Sequence, residues 1–255
     1  MQLNINSANL DFGTNILDVD VPDHLRHRVP TGLSYFDEVM GGQGFVPSSV
    51  TLFTGEAGAG KSTMLQLAAD SLTSAGHTVV FVSGEESPFQ IKMTAERLRL
   101  SNGFLISQET FLPRLMPKLK KASDAAKARG KSLVCLFDSL QTLNDGYYAD
   151  KYGEDYVNSK TAIRAMQKIT EFCKDEHAIG IVIGQVTKQG TMAGSNTLKH
   201  MVDAKIHLGV ETKDADLEGC RCFSAEKNRF GHNGTTIFLR LDDRGFSTVA
   251  RVKAL

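Results

Sequence analysis

The chain has 255 residues, 41% of them hydrophobic, and 29 lysines plus arginines balance 29 aspartates plus glutamates. That length can bury one full core, and the zero formal charge gives no support for a broadly basic nucleic-acid surface, so any such contact must come from a local patch. Its four cysteines, Cys135, Cys173, Cys220 and Cys222, form no CxxC pair, which argues against a zinc ribbon and fits a reducing compartment. With no signal-like apolar stretch and no run long enough to span a bilayer, a cytoplasmic location without membrane contact is expected.

Residues Met1 to about Asp20 are polar and weakly periodic, and read as an arm. The run Val50-Thr51-Leu52-Phe53 is an apolar strand pattern, followed by Gly55-Glu56-Ala57-Gly58-Ala59-Gly60-Lys61-Ser62 and then by the helical pattern from Thr63. This is a complete phosphate-binding loop. Its glycines let backbone N–H groups turn toward phosphate oxygens, and the helix N-terminus adds positive potential there. Lys61 is expected on the β/γ-phosphates and Ser62 in a Mg²⁺ shell, so ATP and Mg²⁺ are the expected cofactors.

Thr78–Val82 reads as a buried strand, and Ser87-Pro88-Phe89-Gln90 after it as a capped helix start with Ser87 as N-cap and a Gln90 capping box. Between them, Glu85 and Glu86 fall at the carboxyl edge of a parallel sheet, where ligands bind. One of the two is expected to activate the attacking water. Leu115–Ala128 reads as a helix stopped by Gly130, and Leu133–Phe137 as a continuous apolar strand. Asp138, at that strand's end, is the second expected Mg²⁺-shell residue. Val157–Lys174 reads as a helix with Ile163, Met166, Ile169 and Phe172 at helical spacing. Ile179–Ile183 is the next strand, and Gln185 at its end is placed to sense the γ-phosphate, with a packing amide as the rival reading. After Lys205 short strand-like runs separated by turns point to a C-terminal antiparallel extension of a mainly parallel, helix-flanked α/β sheet.

From about Arg28 to about Phe246 the chain resembles the RecA-like ATPase core of the RadA (Sms) family, and is more distantly similar to DnaB and KaiC. The motifs carrying this are Arg28-Val29-Pro30-Thr31-Gly32, Ser83-Gly84-Glu85-Glu86-Ser87, Asp138-Ser139-Leu140-Gln141-Thr142-Leu143, Val186-Thr187-Lys188, His200-Met201-Val202-Asp203 and Lys227-Asn228-Arg229-Phe230-Gly231. The organisation expected is therefore an arm over 1–27 and a RecA-like core over 28–255. By residue type alone, Lys227 and Arg229 are a solvated basic turn. The resemblance instead implies that they reach a neighbour's γ-phosphate, and that Glu85 is the water-activating carboxylate. It also implies a ring-forming homo-oligomer, a hexamer by family analogy, acting as a motor or helicase on single-stranded or branched DNA beside recombination or replication proteins. The family's four-cysteine zinc module and Lon-like domain have no counterpart in these 255 residues, and its usual sensor-strand His is Gln185 here.

Two segments are candidates for DNA. Lys188–Thr197 is polar and glycine-containing, with Lys188 and Lys199 as its expected phosphate contacts. Asn144–Ser159 holds Tyr147, Tyr148, Tyr152 and Tyr156, which suit base stacking or a subunit interface equally, amid the acidic Asp145, Asp150, Glu154 and Asp155. The alternative reading of the whole chain is a KaiC-like regulatory ATPase that switches protein partners without DNA, and the adjacent Glu85-Glu86 pair suits it.

Overall fold

The computed structural model describes residues 13–185 and 195–253. Two short helices, α1 (Asp23–Arg26) and α2 (Ser34–Val39), precede β1 (Val50–Gly55). There follow α3 (Lys61–Ser74), β2 (Thr78–Ser83), α4 (Pro88–Arg97), β3 (Leu105–Ser107) and α5 (Leu112–Lys127). Next come β4 (Leu133–Asp138), the one-turn α6 (Ala149–Tyr152), α7 (Thr161–Asp175), β5 (Ile179–Gln185) and α8 (Ser195–Met201). The last described strands are β6 (Ala204–Val210), β7 (Arg221–Asn228), β8 (Thr235–Asp242) and β9 (Gly245–Lys253). They join in one nine-stranded sheet, β3-β2-β4-β5-β1-β6-β7-β8-β9.

The pairing is parallel from β3 through β6 and antiparallel from β6 to β9. The central strands read as unbroken apolar runs because both of their faces are covered. One face carries the aromatic cluster of Phe36, Phe45, Phe53 and Phe223, with Phe36 5.5 Å from Phe45 and 5.3 Å from Phe223. The other buries Leu115, Leu119, Phe137, Met166 and Ile169 beneath α5 and α7. Helix α4 starts as its residues dictate: Ser87 caps the Gln90 N–H, Gln90 returns the bond to Ser87, and Pro88 opens the helix.

The structure corrects several expectations. Helix α7 begins at Thr161 rather than Val157, because Asn158 builds a turn that binds the Lys160 N–H and receives the Thr161 amide. Helix α5 begins at Leu112, earlier than its apolar periodicity suggests. Strand β6, read as the start of the antiparallel extension, is parallel to β1, and the antiparallel part starts with β7. Strands β3 and β9 and helix α8 have no counterpart in the sequence pattern: β3 is three residues long, and β9 alternates half-exposed side chains with no apolar run.

Candidate active site

Parallel pairing fixes where the motifs meet. Gly55, the last residue of β1, is level with Gln185 of β5 and Leu208 of β6, while Ser83 of β2 is level with Asp138 of β4. The phosphate loop, the Glu85-Glu86 segment, Asp138 and Gln185 therefore share the carboxyl edge of the sheet. They line one pocket of about 430 Å³, with Gly55, Ala57, Gly58, Gly60, Lys61, Ser62 and Thr63 on one side and Leu241 closing it. That size suits a nucleotide. A cleft of about 550 Å³ between α2 and the β7–β8 turn is larger, but it has neither the phosphate loop nor a carboxylate cluster among its lining residues.

The loop is shaped by its glycines and by what packs on it. Gly60 has φ +101°, and a Cβ there would sit 2.9 Å from both Leu241 and Phe246 of the β8–β9 hairpin. Lys61 is buried, and its Nζ donates to the carbonyls of Gly55 (2.9 Å) and Glu56 (2.7 Å). Burial lowers the Lys61 pKa, against the pull of Asp138, Glu85 and Glu56. Arg221 supports the loop from β7, donating to the Ala59 carbonyl at 3.1 Å.

Ser62 donates its hydroxyl to Asp138 Oδ2. Burial pushes the Asp138 carboxyl up to about 6; the Ser62 bond opposes this, Glu85 and Glu86 add to it, and Lys61 opposes it. Glu86 has a buried carboxylate oxygen, Oε2, with no hydrogen-bond partner among the described residues. This set of hard oxygen donors fits Mg²⁺, which characteristically takes one or two carboxylates plus substrate phosphates. Among the described residues no group of three or more His, Cys, Asp or Glu side chains could hold a metal by itself, so phosphate oxygens would have to complete such a shell.

Glu85 is held by two donors. Ser139 Oγ and Gln185 Nε2 (2.7 Å) both donate to Glu85 Oε1. Gln185 is in turn tied to Gln141, whose amide donates to the Gln185 carbonyl at 3.4 Å and accepts from its N–H at 3.3 Å. Gly84 makes this approach possible, since a Cβ there would lie 2.1 Å from Thr142 Oγ1. Sequence reasoning singles out Glu85, Asp138 and Gln185 but gives no role to Ser139, Gln141, Arg221 or Leu241. The signal available for two of them is position: Ser139 and Gln141 closely follow Asp138.

Lys227 and Arg229 do not join this pocket. Lys227 is level with Lys205 on β6, three residues before Leu208, which places it about 10 Å below the level of Gly55 and two strands to the side. Its Nζ donates to the carbonyls of Lys199 (2.7 Å) and Val202 (2.6 Å) at the C-terminal end of α8. Arg229 pairs at 3.1 Å with Asp203, a buried carboxylate that also accepts the Val50 N–H at 3.0 Å. Lys199 is thus next to Lys227, while Lys188 lies outside the described residues. The tyrosines cluster among themselves: Tyr152 stacks on Tyr156 at 4.6 Å, and the Arg164 guanidinium lies 4.8 Å from the Tyr147 ring centre. Arg164 also pairs with Asp145, and Arg114 with Glu154, so part of that loop's acidity is neutralised from α5 and α7.

No helix among the described residues is long and apolar enough to cross a membrane. Residues 29–245 match the family model described as "ATPase: KaiC". The chain is 32% identical to the DNA repair protein RadA of Aquifex aeolicus over 241 residues, covering 94% of this chain and 50% of that protein. It is 32% identical to RadA of Brucella abortus over 230 residues and 33% identical to RadA of Streptococcus pyogenes serotype M6 over 217, covering 46% and 43% of those proteins. The chain spans about half the length of the curated relatives it matches. On its fold, its phosphate loop and these similarities, the chain belongs to the KaiC family of RecA-like ATPases.

Proposed function

We propose that this chain hydrolyses ATP with Mg²⁺ as a subunit of a ring, and that the ring works on single-stranded or branched DNA. The observation that carries the reading is the division of the machinery between two edges of one sheet. The phosphate loop and carboxylates occupy one edge, and Lys227 and Arg229 the other. A second copy stacked edge to edge would bring the two halves together, as arginine-finger ATPases require. The name of the relatives, DNA repair protein RadA, supports the DNA part.

In this mechanism the loop amides and Lys61 bind the triphosphate, and Lys61 leaves the Gly55 and Glu56 carbonyls to do so. Ser62 and Asp138 hold Mg²⁺, which when bound neutralises charge on the phosphate oxygens. Glu85 accepts the proton of the attacking water. Its Oε1 is fixed by Ser139 and Gln185, so Oε2, which has no hydrogen-bond partner among the described residues, is the basic atom. Because Gln185 bonds Glu85 and begins the segment that leads to Lys188, loss of the γ-phosphate reaches the DNA-facing segment through one side chain. Lys188 and Lys199 contact the DNA backbone.

The test is ATP turnover with and without single-stranded DNA across a salt series. Stimulation is expected. Lys188→Ala/Lys199→Ala should keep basal turnover, weaken DNA binding and reduce the log–log salt slope by roughly 1.4, about 0.7 for each single-strand phosphate no longer neutralised. Turnover indifferent to DNA would favour the KaiC-like regulatory reading, which the Glu85-Glu86 pair also suits.

A further inference from the structure

Lys199 has two ends with two different tasks. Its side chain is the proposed contact to a DNA phosphate. Its backbone carbonyl lies in the last turn of α8, where a helix leaves carbonyls without intrahelical partners. Lys227 Nζ takes that carbonyl at 2.7 Å, and the Val202 carbonyl just past the helix at 2.6 Å. Arg229 joins the same turn: its Nη2 donates to the His200 carbonyl at 3.5 Å, and its Nη1 to Asp203 Oδ1 at 3.1 Å. Both cations proposed to act on the next copy are thus seated on the stretch from Lys199 to Asp203.

Asp203 fixes this seat to the core. It is 2% exposed and bonds to the foot of β1 in both directions. The Asp203 N–H donates to the Val50 carbonyl at 2.9 Å, and the Val50 N–H donates to Asp203 Oδ2 at 3.0 Å. The Asp203 carbonyl accepts the Arg229 N–H at 3.1 Å, so one residue holds both the backbone and the guanidinium of Arg229. Lys174 shares the carboxylate at 3.4 Å. Burial lowers the Lys227 pKa, Arg229 and Lys199 lower it further, and Asp203 opposes them. The helix end attracts cations, and the buried carboxylate lets two of them sit there together. Neither cation exhausts its donors on these bonds, and the Arg229 side chain is half exposed, so both can reach a phosphate without leaving the seat.

We infer that the last turn of α8 and Asp203 aim Lys227 and Arg229 at the next copy's nucleotide, and that DNA held by Lys199 steadies this aim. Asp203 is then a positioning residue for hydrolysis in the neighbouring subunit. The route is contiguous: DNA phosphate, Lys199 side chain, Lys199 carbonyl, Lys227 ammonium, neighbour's phosphate. It rests on the ring reading and on Lys199 as a DNA contact, and adds the means by which DNA on one subunit speeds turnover in the next. Gln185 acts within its own subunit, whereas this route crosses the subunit boundary.

The test mixes two inactive subunits. Lys61→Ala is the finger donor, supplying Lys227 and Arg229, and Lys227→Ala/Arg229→Ala is the loop donor. Asp203→Asn keeps an oxygen for the Val50 N–H and removes the charge that holds Arg229. Added to the finger donor, it should lower the rescued kcat about tenfold with little change in the KM for ATP. Added to the loop donor, whose Arg229 is already replaced, it should cost at most about twofold, as should Lys174→Gln in the finger donor. Single-stranded DNA should stimulate the rescue, and Lys199→Ala should reduce that stimulation about threefold more in the finger donor than in the loop donor. Equal losses from Asp203→Asn on the two sides would make it a structural carboxylate and overturn the inference, as would full rescue with Asp203→Asn in the finger donor. If Asp203→Asn subunits fail to fold, the Lys199→Ala comparison decides, and equal effects on the two sides overturn the inference. Rescue indifferent to DNA would overturn the coupling and leave the ring standing. Parent subunits that exchange without any rescue would instead remove the ring reading, and the inference with it.

Discussion

Asp138 and Glu85 are close in space and answer to different forces. Asp138 is dominated by burial, which lifts its carboxyl to about 6. A carboxyl whose folded pKa lies above its unfolded value near 3.9 stabilises the fold fully only below about pH 4, and that contribution is gone above about pH 6. In the absence of nucleotide and divalent cation, Asp138→Asn should therefore stabilise the protein at pH 8 by about 1–3 kcal/mol. Denaturant unfolding in a chelator should show the gain shrinking as pH falls through 6. A pH-independent difference would mean that the carboxylate is not held out of water. Glu85 is controlled by hydrogen bonds. Glu85→Gln should retain ATP and lose at least about 100-fold in turnover, whereas Ser139→Ala, which frees one of the bonds to Oε1, should lose about tenfold. An active Glu85→Gln beside an inactive Glu86→Gln would transfer the base to the neighbouring residue.

At the scale of elements, the loop between β2 and α4 is fixed from both ends. The capping box of Ser87 and Gln90 sets where α4 begins, and Gly84 lets the chain pass against Thr142. Gly84→Ala would drive a methyl into the Thr142 side chain, which itself bonds the Ser139 carbonyl at 2.8 Å. The variant should bind ATP through an undisturbed phosphate loop yet lose most turnover, about tenfold or more, because Glu85 and Ser139 both shift. Nucleotide titration and single-turnover hydrolysis separate the two effects, and a parallel loss of binding would contradict this account. Much of this is legible in the sequence. The phosphate loop, the capping box and the apolar runs of β1, β2, β4 and β5 announce themselves because local chemistry and burial agree there. Strand β3 does not, because three residues carry too little periodicity, and β9 does not, because its alternating pattern is half exposed. The parallel direction of β6 is set by pairing with β1, which no local pattern encodes. The sequence marks Ser139 and Gln141 only by their place after Asp138, since their roles depend on Glu85 and Gln185 arriving from other strands.

For the whole molecule, one sheet serves two edges. Its carboxyl edge gathers residues from β1, β2, β4 and β5 around a pocket, while the end of β7 presents Lys227 and Arg229 beside the C-terminal end of α8. These two cations also stabilise their own chain: Lys227 satisfies carbonyls that a helix end leaves unpaired, and Arg229 pairs with buried Asp203. Loss of activity in their variants is therefore informative only with thermal unfolding recorded alongside. The most direct measurement avoids that ambiguity. Lys61→Ala and Lys227→Ala/Arg229→Ala subunits, each inactive alone, are titrated against one another after subunit exchange is confirmed with a label. A junction that joins the intact loop of one variant to the intact Lys227 and Arg229 of the other should regain ATPase activity, since such a finger supplies roughly 10³–10⁵ in rate. Mixtures that exchange subunits and stay as inactive as either parent would contradict a site completed by its neighbour.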